Sequence, residues 1–492
     1  MSSDAARRPV LVGVGQVLQR TDDLAAAREP LELMVEAAER AAADAGSRAL
    51  LEAVESVRVV RGMWRYADPG RVVAARVGCP GAKTALSQYG GNYAQTLTSL
   101  SCAEIQRGAL DAVLIVGAEC GRSWARARKA GVDLGWSDAP GTPDAEIGAR
   151  LRMSHEAELS RGIRMPIQMY PVFEIALRAA RGEAVDAHLK RVSELWAGFS
   201  AVAADNPHAW IREPRSAEEI RRVGPGNPPV SFPYPMLMNS NSRVDMGAAL
   251  LLTSEARARA LGVPREKWIY AHAATDASDC SFVSERESLS ASPAIRIAGR
   301  RCLERAGVEP GDLAHCDLYS CFPSAVQVSA RELGLDESRP LTVTGGLTFG
   351  GGPMNDYTTH AIARMAEVLR ADPGAKGLVT GNGGFLTKHA FCVYSSEPPE
   401  GPFVHEDLQG EVDALPTRGA VVEHEGEATI EAYSVMYAGE APDVAHVACL
   451  LPDGRRSWGN VRDADTLLAM TREEFCGRPA RLSREADLTP LA

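Results

Sequence analysis

The order of strand and helix signals repeats once along this chain, and that repeat limits the fold more than any single residue does. Between Val10 and about Glu119 the apolar periodicity predicts strands at Val10–Val14, Ser56–Val60 and Ala112–Val116, alternating with helices at Pro30–Ala45 and Gly91–Arg107. Ala94, Leu97, Leu100, Ser101 and Ile105 recur at helical spacing. The run Asp111-Ala-Val-Leu-Ile-Val-Gly-Ala-Glu, bounded by charge and glycine, reads as a strand buried on both faces. The order starts again at Trp268-Ile-Tyr-Ala-His-Ala, with a helix predicted over Ser292–Ala306, a strand over His315–Tyr319, a helix around Asn355–Leu369 and a strand over Gly377–Thr380. Two copies of an alternating unit imply paired parallel sheets with helices between and outside them.

Residues 120–238 lie between the copies. They are rich in Arg, Pro and Trp, are predicted mostly helical around Phe173–Ala203, and read as an insertion over the first half of the kind that often shapes a ligand site. Past Ser395 the pattern changes. Glu397-Pro-Pro-Glu-Gly-Pro is a rigid linker, the segments from Ala428 and from Val444 alternate like antiparallel strands, and Asp453-Gly signals a hairpin. A C-terminal domain of about 80 residues, large enough for its own core, is expected as a small barrel.

Composition excludes several function classes. The net charge of -11, with Lys and Arg scattered, supplies no field for phosphate backbones or anionic lipids. Glu411, Glu423, Glu425 and Glu427 argue against single-stranded nucleic acid on the C-terminal domain. The polar start Met1–Arg8 runs straight into the strand at Pro9, and no apolar run reaches membrane-spanning length, so a cytoplasmic protein is expected. Ten cysteines without a Cys-x-x-Cys read as free thiols, with no metal site.

Over residues 9 to about 395 the chain resembles the thiolase superfamily. Ile105 to Glu119 looks like the segment that follows the nucleophilic cysteine. Ser242-Arg-Val-Asp-Met-Gly-Ala-Ala resembles the strand entry closing the first half, and Leu318-Tyr-Ser-Cys-Phe sits where the family carries Asn-Glu-Ala-Phe or His-Asp-Cys-Phe. Gly345-Gly-Leu-Thr-Phe-Gly-Gly-Gly-Pro matches the Gly-His-Pro loop, and Thr380-Gly-Asn-Gly-Gly the Cys-x-Gly loop. The resemblance implies an α/β thiolase fold of two repeated βαβαβαββ halves with a helical loop insertion and a C-terminal β-barrel domain like those that bind oligonucleotides or oligosaccharides. The implied division is 1–119 with 239–260, insertion 120–238, second half 261–396, and added domain 397–492.

The departures matter as much. The nucleophile position is Gly91, the position of the supporting histidine is Gly352, and that of the second cysteine is Thr380, so an acyl-cysteine mechanism has no residues to run on. The position that orders the oxyanion-hole water is Tyr319, with Ser320 beside it. This pattern most resembles the type 1 thiolase-like proteins; thiolase-fold aldolases that rely on tyrosines are a second relative, and ketoacyl synthases share the scaffold but need their own cysteine.

Candidate catalytic residues are therefore Tyr319, Asn382, His389 and Asn92. Tyr319 is an acid or base at a strand end, where open α/β sheets place ligands, or else a satisfied core tyrosine. His389 is a general base or an ordinary histidine, and Cys321 reads as packing. The glycine loops at Gly90, Gly350 and Gly381, with Asn92, Asn355 and Asn382, are ligand-approach loops or tight turns. By position the resemblance assigns Arg152, Met153 and Ser242 to coenzyme A, with Arg152 on phosphate. The expectation is an acyltransferase-family, acyl-CoA-dependent protein of acetyl-CoA acetyltransferase type. It would take a CoA thioester as substrate or ligand with no covalently bound cofactor, and any chemistry would be cysteine-independent carbon–carbon cleavage or formation. The alternative is a non-catalytic acyl-CoA or lipid carrier. A monomer or a homodimer pairing through the strand after the nucleophile helix is expected, with a protein partner possible through the C-terminal domain.

Overall fold

The computed structural model describes residues 6–491, so the polar start expected over Met1–Arg8 falls partly outside the described residues. The first half and its insertion supply β1 (Pro9–Leu18), β2 (Ser56–Val59), β3 (Lys83–Ser87), β4 (Ala112–Cys120), β5 (Ala145–Ile147), β6 (Pro229–Phe232), β7 (Tyr234–Pro235) and β8 (Asp245–Ser254). All but β6 and β7 form one sheet in the order β1-β8-β4-β2-β3-β5. Strands β2 to β5 are parallel, and β8 runs antiparallel between β1 and β4. Every residue of β4 is buried because helices cover both sides: α1 (Pro30–Ala45) on one, α2 (Tyr93–Arg107) on the other. Gly13 and Gly15 let α1 sit down on β1, since a β-carbon at either would stand about 2 Å from the Ala41 or Ala37 carbonyl oxygen.

The second half repeats the plan with β9 (Tyr270–Ser278), β10 (His315–Asp317), β11 (Lys376–Gly383), β12 (Lys388–Ser395) and β13 (Val404–Asp407), ordered β10-β11-β12-β9-β13. The helix predicted over Ser292–Ala306 is a π-turn, Ile295–Gly299, running into a short α-helix, Arg300–Arg305. Between the two sheets, α2 packs against α6 (Tyr357–Ala371), preceded in the chain by α3 (Gly121–Ala130), α4 (Pro166–Arg181) and α5 (Val185–Asp205). Because α2 is buried on most sides, its apolar residues show no single stripe, and its N-terminus is fixed between the halves.

Three features depart from the sequence reading. The strand after the helix that begins at Tyr93, β4, lies in the middle of its sheet, paired on both edges, so it has no free edge for strand pairing with a second copy; the outer strand β3 is covered by β5 of the same chain. Strand β13, beyond the linker at 397, joins the second sheet beside β9. The C-terminal strands β14 (Gly426–Ala438), β15 (Ala441–Leu450), β16 (Arg456–Val461), β17 (Pro479–Leu482) and β18 (Leu488–Pro490) form a sheet ordered β16-β15-β14-β17-β18, with β6 paired to β14. The expected closed barrel is not formed by ladders among the described residues: β16 meets the start of β18 through one bridge, Asn460 to Asp487. The reason is length, since β18 spans three residues and ends in Pro490, which has no N–H to donate.

This sheet is tied to the body through a buried arginine. Arg456 donates to the carbonyls of Val283 (3.1 Å), Ser284 (3.0 Å) and Arg286 (2.6 Å) while pairing with Glu431 at 2.6 Å, and Trp458 Nε1 donates to Ser284 Oγ at 2.9 Å. The ten cysteines are all unpaired thiols. Among the described residues no helix is long and apolar enough to cross a membrane.

Candidate active site

Strand β3 ends at Ser87, and the chain turns through Gly90-Gly91-Asn92 into α2. Strand β10 delivers Tyr319 to the same place. A β-carbon on Gly91 would stand 2.3 Å from the Tyr319 hydroxyl and 2.6 Å from the Asn382 carbonyl oxygen, so the tyrosine fills the volume a side chain at 91 would need. Tyr319 is fixed by its backbone N–H donating to Thr380 Oγ1 (2.8 Å) and by an edge-to-face contact with Tyr357 (5.3 Å). Its hydroxyl has no hydrogen bond among the described residues. Burial holds its phenol well above the ordinary tyrosine range, with the Cys321 sulfur adding to the effect. The raised pKa keeps the Tyr319 hydroxyl protonated at neutral pH, the state in which it can donate.

The other degenerate positions are likewise occupied. Thr380 holds the Tyr319 backbone. A side chain at Gly352 would meet Ser240 Oγ at 2.4 Å and the Asn241 carbonyl at 3.2 Å, leaving no room for a histidine. Gly91 O accepts from Thr358 Oγ1 (2.8 Å), which ties the turn to α6.

Asn382 near the end of β11 donates to Tyr170 Oη at 3.0 Å, and Tyr170 in turn donates to Gly384 O (3.0 Å), accepts from the Leu386 N–H (2.9 Å) and stacks on Phe322 (4.4 Å). Sequence reasoning missed Tyr170, because it lies on α4 of the insertion and only the fold brings it here. Cys321 lies 3.7 Å from Asn382 Nδ2, and burial pushes its thiol up to about 12, which disfavours the thiolate. His389 is buried, pairs with Asn382 across β11 and β12, and sits 3.4 Å from Asp279. Burial opposes ionisation of Asp279, yet His389 and Arg286 hold its carboxyl below the usual range.

Lys388 was also missed. Paired with Gly383 across the hairpin, it runs through the space left by Gly90 and Gly383, its ammonium 2.7 Å from where a β-carbon on Gly90 would stand. The ammonium donates to Tyr89 O and lies 5.0 Å from the centre of the Tyr93 ring. Burial lowers its pKa to about 8, and no carboxylate pairs with it among the described residues. A lysine preceding a histidine in a strand gives no sequence signal for this; the two glycines opposite it create the slot.

Two expected site residues each carry a buried polar atom without a partner, Asn92 Oδ1 and Asn382 Oδ1, whereas His389 Nε2 faces Asp279 Oδ2 at 3.4 Å. Leaving such an atom unpaired costs on the order of 1–3 kcal/mol, and cases cluster where a ligand or catalytic role keeps them. Asn355 instead donates to Arg61 O at 2.7 Å and serves the loop. The residues assigned to coenzyme A divide between two places. Met153 packs on Gly384, whose β-carbon would meet its methyl at 2.0 Å, and the exposed Arg152 is beside Glu156 at 3.5 Å. Ser242 instead lines a separate cavity of the first half. Among the described residues no cluster of His, Cys, Asp or Glu is arranged to hold a metal ion.

Residues 407–486 match the family described as thiolase-like protein type 1 additional C-terminal domain. The whole chain is similar to a solved monomeric SCP2-thiolase-like protein type 1 from Mycobacterium smegmatis: 32% identity, TM-score 0.84, 99% of each chain covered. An Ltp2–ChsH2(DUF35) aldolase shares the fold, at 20% identity and TM-score 0.58, over 80% of this chain and 98% of its own. The acetyl-CoA acetyltransferase of Methanocaldococcus jannaschii is 31% identical over 106 residues, 22% of this chain and 26% of that protein, so the match spans about a quarter of the relative's length.

Proposed function

From the premise that the chain belongs to the type 1 SCP2-thiolase-like proteins of the thiolase superfamily, we propose that it takes an acyl-coenzyme A thioester at the Gly91–Tyr319–Asn382 site and that any bond it makes or breaks there uses tyrosine in place of cysteine. The observation that carries this reading is the Tyr319 hydroxyl, an unpartnered acid held where a nucleophile on Gly91 would project. In carbon–carbon cleavage of a 3-hydroxyacyl thioester, a base removes the hydroxyl proton, the bond between the α- and β-carbons breaks, and its electron pair moves onto the thioester carbonyl. Tyr319 would donate to that developing oxyanion, the task for which a neutral, preorganised donor is suited. His389, oriented by Asp279, and Lys388, with its lowered pKa, are the two nitrogen bases beside Asn382 and Gly383. Unpartnered oxygens on Asn92 and Asn382 support a polar ligand at this point.

A second reading, acyl-CoA binding without turnover, is favoured by the burial of every one of these side chains. Calorimetric titration with coenzyme A and a short acyl-CoA panel, with mass spectrometry of each mixture, separates the two. Binding with a new product supports the enzyme, binding without one the carrier, and no binding of any thioester sinks both.

A further inference from the structure

The first half holds a cavity of about 990 Å3 at the C-terminal ends of β2 and β4, apart from the Tyr319 site, where parallel strands commonly present a ligand crevice. Its walls are aromatic: Trp64, Trp124 and Trp136, with Tyr66 4.8 Å from Trp64. Trp64 is committed, since its Nε1 donates to Ala118 O at 3.0 Å. The Trp136 Nε1 is buried and has no acceptor among the described residues. At the floor, Glu119 is 6% exposed and accepts the Met63 N–H at 2.7 Å, with no other hydrogen bond or ion pair among the described residues.

The charges facing Glu119 do nothing to ionise it. Asp356 at the start of α6 and the Cys120 thiol next to Glu119 are acidic or neutral, as is Tyr66 in the same lining. Burial pushes the Glu119 carboxyl up to about 8, so at neutral pH it is an uncharged O–H donor. The lining also includes Arg65, Arg128 and Arg243 as cations, Arg128 5.5 Å from the centre of the Trp124 ring, together with Asp133 and Asp138.

We propose that this cavity binds a planar aromatic ligand that carries an anionic group. Its ring lies on the tryptophan faces, its acceptor atoms meet the Glu119 and Trp136 donors, and its anion meets the arginines. Indole faces supply stacking area, an unpaired indole N–H and a protonated carboxyl select acceptors, and guanidinium groups select carboxylate or phosphate. Two sources carry that chemistry, the nucleotide end of a coenzyme A thioester and a free aromatic carboxylate. The proposal stands on the cavity itself and holds whether or not the Tyr319 site turns over a thioester.

The test is calorimetric titration of the intact chain with adenosine 3′,5′-bisphosphate and, separately, with 2-naphthoate. Binding of the bisphosphate assigns the cavity to the nucleotide, and binding of naphthoate alone assigns it to a separate aromatic acid; either supports the proposal. Trp124→Ala, at a half-exposed position, is expected to raise the Kd at least tenfold. Wild-type affinity is expected to fall about tenfold from pH 7 to pH 9 as Glu119 ionises against the anion, and Glu119→Gln, still a neutral donor, to bind without that fall. The proposal is overturned if neither probe binds, or if binding is unchanged in Trp124→Ala, a result that stands even should Glu119→Gln fail to fold.

Discussion

The hydroxyl of Tyr319 lies 2.3 Å from the point where a β-carbon on Gly91 would stand. The absence of a side chain at 91 and the presence of the tyrosine at 319 are therefore sterically linked, since the phenol of the second half fills the space a side chain at 91 would need. A cysteine introduced at 91 alone is not expected to confer thiolase chemistry, because the phenol fills its place and neither Gly352 nor Thr380 can serve as base.

Gly91→Ala is expected to destabilise the fold by about 1–3 kcal/mol, the usual range for overpacking. The methyl must displace both the Tyr319 ring and the Asn382 backbone. Chemical denaturation checks this, and Tyr319→Ala in the same background should recover part of the loss. Additive effects of the two changes would contradict the contact.

Tyr319→Phe is expected to leave the melting temperature nearly unchanged, because the hydroxyl has no protein partner among the described residues. On any thioester the wild type converts, kcat should fall by a factor on the order of 10²–10⁴, the range for loss of one acid or oxyanion donor. Unchanged turnover would remove Tyr319 from the mechanism.

Arg456→Met is expected to cost about 3 kcal/mol or more, since it removes one partner of a buried, hydrogen-bonded ion pair and leaves three carbonyls of the 283–286 segment without their donor. Unfolding followed by tryptophan fluorescence should change from one transition to two as the C-terminal sheet uncouples from the body. A single transition at the wild-type midpoint would show that the arginine is not what couples them.

Glu119 gives stability a pH dependence of defined sign. Its folded pKa, about 8, exceeds the ordinary carboxyl value near 4.3, so the folded chain binds the extra proton between them. The contribution is complete below about pH 4 and is lost as pH rises through 8. Across pH 5 to 8 the unfolding free energy of the wild type is expected to decline, and Glu119→Gln should flatten that decline. An unchanged slope would mean that Glu119 ionises normally in the fold.

The repeat was legible in sequence because buried strands such as Ala112–Cys120 and long helices such as Pro30–Ala45 carry their periodicity locally. The identities of Gly91, Gly352 and Thr380 are equally plain in the sequence, and the resemblance assigns them to the positions of the thiolase nucleophile, histidine and second cysteine. Local pattern could not show that β5 covers the edge of β3, that β13 leaves the C-terminal segment for the second sheet, or that β18 is too short to close a barrel. Each depends on pairing between residues far apart in the chain.

The same division runs through the site. Asn92, Tyr319, Asn382 and His389 could be proposed from their loops and strand ends, whereas Tyr170, Lys388 and Glu119 gave no local signal. Tyr170 acts from a helix about 200 residues from Asn382. Lys388 owes its lowered pKa, and Glu119 its raised one, to desolvation, which only the assembled fold imposes. Sequence determined which side chains stand at 91, 352 and 380; tertiary structure decided which groups surround them, because burial and distance are properties of the packed molecule and of no local stretch of it.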